Sequence, residues 1–312
     1  MSPVLSTIII VIVIFFVFRW FRGKSSGWKA PKEPFPANWR IILLRDVSFY
    51  SSLSDEEKTR FEYKVQEFLL NCRITGIEIS IDTRDKLLVA ASAVIPIFEF
   101  DDWKYSNIHE VLLYPSMFNE RFETRGLDTN IGGMVGNGYM EGKMILSQKA
   151  LRHGFKNESD KKNTAIHEFV HLIDKTDGAV DGIPSLLLEK QYSIPWLDLI
   201  NKKIDEIYSG ESDINPYGGT NRAEFFSVVS EYFFERPKLL KRNHPLNLEL
   251  QLNSAEVTEA EWAKAEQLAA YDMTPGTRHI LAQIYPTTLQ DPGEPADELA
   301  NRDVITTNNQ QP

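Results

Sequence analysis

Two histidines and a glutamate stand together in the stretch TAIHEFVHLID: His167, Glu168 and His171. Residues four apart share one face of a helix, so the two imidazoles could hold a single metal ion. Glu168, beside them, could serve the water that such an ion activates. Zinc-dependent peptide hydrolysis uses this residue pattern, with the carboxylate as general base. Phe169, Val170 and Leu172 are apolar, so the helix reads as buried. Two imidazoles and a carboxylate on a buried helix are costly without a partner. The plainer reading of the same residues is a pair of core histidines satisfied by hydrogen bonds.

A catalytic zinc takes three protein ligands and keeps a fourth position open. The segment DKTDGAVDG after the motif holds no histidine, which excludes a third imidazole close by. His244 and His279 remain downstream, and His244, in the KRNHP stretch beyond Pro237, reads as a surface residue. Glu224 and Glu231 are better candidates. They lie two turns apart on one expected helix and can point the same way; spacing does not choose between them. Tyr217 could steady an oxyanion with its phenol. Asp174, three residues past His171, could accept a hydrogen bond from a ligand imidazole or cap and solvate the helix.

Several elements must position these groups. Ser54-Asp55-Glu56-Glu57 reads as a capping box with Leu53 as a staple residue. Phe61, Val65, Phe68, Leu69 and Cys72 then recur at helical spacing, with Cys72 as a small buried apolar group. Ile77, Ile79 and Ile81 alternate with polar neighbours over a short run, and Phe98–Phe100 and Val111–Tyr114 read as strands. The alanine-rich run Leu87–Ile97 reads as a buried helix that backs the motif helix. Gly132–Met140 mixes glycines with apolar residues and reads as an edge strand beside a groove, or as a flexible hairpin. Its spacing does not match a phosphate-binding loop. Met144–Ser147 reads as a short strand leading into a helix over Gln148–Arg152. Further helices are expected at about 195–208, at Ala223–Glu235 (ended by Pro237) and at about 256–270, with a loop at Gly210–Gly219.

The chain has 312 residues, 42% of them apolar, and a net charge of −10. That balance excludes a nucleic-acid binder, which needs a basic surface. A single cysteine excludes an intrachain disulfide and any zinc site of three or four thiolates. Residues 3–18, PVLSTIIIVIVIFFVF, carry no charge, and with Trp20 and Phe21 they approach a bilayer span. Arg19, Arg22, Lys24 and Lys29 follow. This charge order predicts a single-pass anchor with the large domain in the cytoplasm. A secretory signal would have the basic residues first and small residues at its exit. Pro31, Pro34 and Pro36 mark a linker, and the soluble domain begins near Trp39.

TAIHEFVHLIDKTDG resembles the active-site helix of the glucose-regulated zinc metallopeptidase (Mlc titration factor A) family, and YGGTNRAEFFSVVSEYFFERP resembles its second signature. That second signature is also similar to one in the protease domain of anthrax lethal factor. The resemblance runs from about residue 40 to about 275, most loosely around LSQKALRHG and the alanine-rich run. It implies an α+β, zincin-like domain over 39–284 in a bacterium, so that the anchor would lie in a bacterial inner membrane; the residues themselves add a transmembrane helix at 1–22, a linker at 23–38 and, from their prolines and polar composition, a disordered tail at 285–312. It implies one Zn2+ per chain, with His167, His171 and Glu224 as ligands, Glu168 as base and Tyr217 supporting the transition state. Glu231 and Asp174 then stand around the ligands. The implied activity is peptidase, with aminopeptidase as its narrower form, on a peptide or protein substrate. The implied alternative is a regulatory binding protein that sequesters a cytoplasmic transcriptional repressor. The N-terminal apolar segment departs from the family pattern.

Overall fold

The computed structural model describes residues 28–244, apart from 101–102, 158, 186 and 189–191. The anchor expected at 1–22, the helix expected at 256–270 and the tail expected from 285 lie outside the described residues. Among the described residues no helix is long and apolar enough to cross a membrane.

Four short strands form one mixed sheet: β1 (Arg73–Gly76), β2 (Glu110–Tyr114), β3 (Gly133–Val135) and β4 (Lys143–Ser147). Their spatial order is β1-β2-β4-β3; the first three in that row run parallel, and β3 closes one edge antiparallel to β4. Val111 and Leu113 of β2 and Met144, Ile145 and Leu146 of β4 are buried. Near-continuous apolar runs are what strands covered on both faces require.

Helices surround the sheet in an α+β arrangement: α1 (Ala37–Asp46), α2 (Ser48–Ser52), α3 (Asp55–Asn71), α4 (Thr83–Val94), α5 (Gln148–Lys156), α6 (Thr164–Asp174), α7 (Ser193–Tyr208), α8 (Arg222–Glu235) and α9 (Pro237–Asn243). The capping box at α3 forms as its sequence predicts, with Ser54 and Glu57 exchanging hydrogen bonds. A second box, Asp82 with Asp85, starts α4. Asp85 is fully buried and also binds Arg152 Nε at 2.7 Å and Gln148 Nε2 at 2.8 Å, which ties α4 to α5. Every residue of α4 from Leu87 to Val94 is buried, and the helix backs α6 as expected. Its alanines allow that close approach. Phe169 on α6 packs against Phe68 and Tyr105, with ring centroids 5.6 and 5.3 Å away. These contacts fix the rotation of α6 about its own axis.

One local expectation is corrected and two are refined. The first strand is Arg73–Gly76, upstream of the alternating isoleucines. After Gly76 the chain turns back on itself so tightly that a Cβ there would stand 2.4 Å from the Ile79 carbonyl oxygen, and Glu78 takes a positive φ of 59°. Phe98–Phe100 is not a strand. Ile95–Ile97 is a 3-10 turn with Pro96 near its start, and Phe98 keeps helical dihedrals while its ring is buried against Phe49 and Phe61. Pro237 ends α8 but also opens α9, where its missing N–H costs nothing.

Candidate metal centre

Helix α6 starts at Asn163, whose side chain accepts from the Ile166 amide, and all residues from Ala165 to Asp174 are buried. Helix α8 starts at Asn221, whose side chain accepts from the Glu224 amide, and it packs against α6. The capping therefore puts Glu224 in the first turn of α8, opposite the middle of α6.

His167, His171 and Glu224 each offer one ligand atom, and the three atoms lie within 4.8 Å of one another. His167 Nε2 is 3.1 Å from His171 Nε2 and 2.9 Å from Glu224 Oε2, and His171 Nε2 is 3.5 Å from Glu224 Oε2. Tetrahedral zinc with bonds of about 2.0–2.2 Å places its ligand atoms about 3.3–3.6 Å apart. The observed triangle is within a few tenths of an ångström of one face of that tetrahedron. The opposite ring atoms are engaged from behind. Glu231 Oε1 lies 2.7 Å from His167 Nδ1, and Ser227 Oγ lies 3.2 Å from His171 Nδ1. Both rings therefore turn Nε2 toward the shared point.

The charges favour a cation. Three carboxylates, Glu168, Glu224 and Glu231, surround two imidazoles. Burial alone would lower the proton affinity of His167, but hydrogen bonds to Glu224 and Glu231 outweigh it and hold the imidazole at about 10. Burial would raise Glu224, but the two imidazoles hold it well below the usual carboxylate range. The residues fit a small divalent ion.

Glu168 is buried, and burial raises its proton affinity against the pull of both imidazoles. Tyr217 sits in the short turn Pro216–Gly219 with its ring 6.0 Å from that of His167. About half of Tyr217 is exposed. Burial of the remainder and the Glu224 carboxylate push its phenol up to about 12, so the hydroxyl keeps its proton at neutral pH. His167, Glu168, His171, Tyr217 and Glu224 line a cleft of about 900 Å3. One wall is β3, where the sequence suggests an edge strand beside a groove; Asn201, Ile204 and Tyr208 of α7 contribute another.

The family model for the glucose-regulated metallo-peptidase M90 matches residues 18–253. This chain belongs to that family. An uncharacterized protein of Synechocystis sp. is 30% identical over 226 residues, 68% of this chain and 81% of its own length. A protein named Mlc titration factor A from Escherichia fergusonii is 29% identical over 233 residues, 70% of this chain and 86% of its own. One of the same name from Pectobacterium atrosepticum is 27% identical over 220 residues, 67% and 81% of the two chains.

In this M90 chain Glu231 contacts a ring nitrogen and does not join the Nε2 triangle. Its second oxygen accepts from the Asn163 amide, so it also ties α8 to the cap of α6. Asp174 makes no hydrogen bond to either imidazole. It accepts from the Gly182 amide at 2.8 Å, leaving Oδ1 buried without a partner. Ser227 is the residue that meets a ring nitrogen of His171, a role for which Asp174 was one candidate. Its signal is its place at i+3 from Glu224 and i−4 from Glu231, on the same stripe of α8. His244 is not a surface residue: it is buried, with Nε2 2.6 Å from Asp213 Oδ1, in a cluster separate from the metal ligands.

Proposed function

We propose that this M90 metallopeptidase chain hydrolyses peptide bonds with one Zn2+ held by His167, His171 and Glu224. The observation that carries this reading is the Nε2, Nε2, Oε2 triangle at 2.9–3.5 Å with both Nδ1 atoms engaged from behind. Zn2+ bound there would polarise the scissile carbonyl and lower the pKa of a water. Glu168 accepts a proton from the attacking water and returns it to the leaving amine. Its burial, by raising its proton affinity, suits it to both halves of that task. The Tyr217 hydroxyl donates a hydrogen bond to the developing oxyanion. Glu231 and Ser227 keep the imidazoles from rotating.

Metal analysis of the purified full chain, with cleavage of a peptide library by wild type and Glu168→Gln, tests the proposal. About one zinc per chain in both proteins, with hydrolysis in the wild type and a loss of at least about 10²-fold in the variant, is expected. Equal hydrolysis by the two proteins would sink the mechanism. The library also reads whether cleavage proceeds from the amino terminus, as an aminopeptidase requires.

Relatives named Mlc titration factor A favour a second reading, in which this chain binds a protein partner, a transcriptional repressor, and catalysis is incidental. Retention of such a partner by wild type and Glu168→Gln alike, without cleavage of any peptide, would favour it. In both readings residues 1–22 form a single-pass anchor that keeps the domain on the cytoplasmic face, supported by the uncharged run and by Arg19, Arg22, Lys24 and Lys29 behind it. Digestion of the domain by protease added outside intact cells would overturn that topology.

A further inference from the structure

His167, His171, Glu224 and Glu231 are all held by side-chain hydrogen bonds. Glu168, in the same cluster, makes none among the described residues. The backbone of Gly133 lies against it. A Cβ at Gly133 would stand 2.6 Å from Glu168 Cγ and 2.8 Å from its Oε1. Carbon atoms rest about 3.5–4.0 Å apart, so any side chain at Gly133 would push Glu168 aside by about an ångström.

The strand that brings Gly133 there is fixed. In β3, Gly133 pairs with Leu146 of β4. The Ser147 amide donates to the Gly132 carbonyl at 2.7 Å, and the Gly136 amide donates to the Lys143 carbonyl at 2.8 Å. Gly133 does not have a positive φ, so its backbone conformation does not call for glycine. The space taken by Glu168 does. Gly132, one residue earlier, would meet Thr164 and Met117 instead, at 3.2 Å and beyond.

We infer that Gly133 is a positioning residue: the bare backbone of the edge strand is the stop against which the Glu168 carboxylate rests. The inference rests on Glu168 being the base, as proposed above. A displacement of about 1 Å in a reacting group costs about 10²-fold in rate.

The test compares Gly133→Ala and Gly132→Ala in the full zinc-loaded chain, on one peptide that the wild type cleaves, and the thermal unfolding of Gly133→Ala, Glu168→Ala and their pair. Gly133→Ala should keep its zinc and lose about 10²-fold in kcat, with KM changed less than about threefold. Gly132→Ala should stay near wild type. Glu168→Ala removes the Cγ and Oε1 that the new methyl would meet, whereas an aspartate would keep its Cγ there, so the alanine is the background that relieves the contact. A loss confined to KM, or an equal loss in Gly132→Ala, overturns the inference.

If the wild type cleaves no peptide, the proposed activity fails, and thermal unfolding still decides the contact. Gly133→Ala should lower Tm in the wild-type background and not in Glu168→Ala. An equal drop in both backgrounds overturns it. Should Gly133→Ala alone fail to fold, recovery of folding in the Gly133→Ala/Glu168→Ala pair supports the contact, and failure of that pair as well overturns it.

Discussion

Two polar clusters in this domain are built around buried histidines, and their charges are balanced in opposite ways. Around Asp213 one carboxylate collects four donors: His244 Nε2 at 2.6 Å, Tyr232 Oη at 2.7 Å, Lys161 Nζ at 2.9 Å and Asn243 Nδ2 at 2.9 Å. Every partner points inward at the acid, and nothing further is needed. At His167 and His171, three carboxylates share two imidazoles, and two ring nitrogens face each other at 3.1 Å. Without a cation, one of those nitrogens must be protonated and squeezed between acceptors. A satisfied cluster staples elements together, here the approach to α6, the loop before α8 and the end of α9. A cluster short of positive charge is a site.

The largest effect that could break this contrast is loss of the third ligand. Glu224→Ala removes the oxygen that closes the triangle. Zinc affinity should fall by at least about 10³-fold, beyond the 10–100-fold typical of an outer partner, and hydrolysis should disappear with it. A chelator should lower the wild-type Tm and leave the variant's unchanged, because only a bound ion adds stability by mass action. Stoichiometric zinc in Glu224→Ala would show that the Nε2, Nε2, Oε2 triangle is not the ligand set.

Glu231→Gln comes next. The amide can still meet the Asn163 N–H, but it withdraws a full negative charge from His167 Nδ1. Removing a partner of this kind costs about 10–100-fold in metal affinity. Zinc titration against a competing chelator checks it, and affinity within a factor of two of wild type would make Glu231 a mere cap for α6.

The sequence made one of these clusters visible and concealed the other. His167, Glu168 and His171 are local, and the periodicity of α6 is enough to set them on one face. Glu224 and Glu231 were both credible from spacing alone, because an i, i+7 pair shares a stripe whichever end meets the metal. Their division of labour depends on how α8 crosses α6. Ser227 sits on the same stripe but belongs to a residue type too common to attract notice. His244 was misread because its partner, Asp213, is 31 residues away, and nothing near either residue announces the pairing. The same limit explains the strands. β2 and β4 are apolar enough to read directly. β1, with the sequence Arg-Ile-Thr-Gly, is recognisable only once β2 lies beside it.

The Asp213 cluster should respond to pH and to mutation without touching the metal. Burial would raise this carboxyl, but the donors from Tyr232, Lys161, His244 and Asn243 outweigh it and hold it well below the ordinary range. A depressed folded value means the stability is complete above about pH 4 and is lost as pH falls toward that lower value. Asp213→Asn should therefore flatten the acid limb of Tm against pH. At pH 7 the loss should be about 1–2 kcal/mol, modest because a third of the side chain is exposed. Zinc content and kcat should match the wild type. A fall in zinc affinity would mean that the two clusters are coupled through the segment from Lys161 to the Asn163 cap.

Ser227→Ala is the smallest test and the most discriminating one. It removes a single neutral hydrogen bond, 3.2 Å from His171 Nδ1, from a fully buried position. Such a bond contributes about 1 kcal/mol, or about fivefold in an equilibrium constant. Because the lost hydroxyl leaves a buried ring nitrogen without a partner, the apo protein should also lose stability. The ratio of the two effects is informative. If Ser227 chiefly orients His171 for the ion, zinc affinity should fall by about fivefold and the chelator-induced drop in Tm should shrink. If it only fills hydrogen-bonding capacity in the core, Tm should fall equally with and without metal, and the zinc titration should superimpose on the wild type. The first outcome would extend the contrast between the clusters to their outer layer, where even a serine is arranged around the ion.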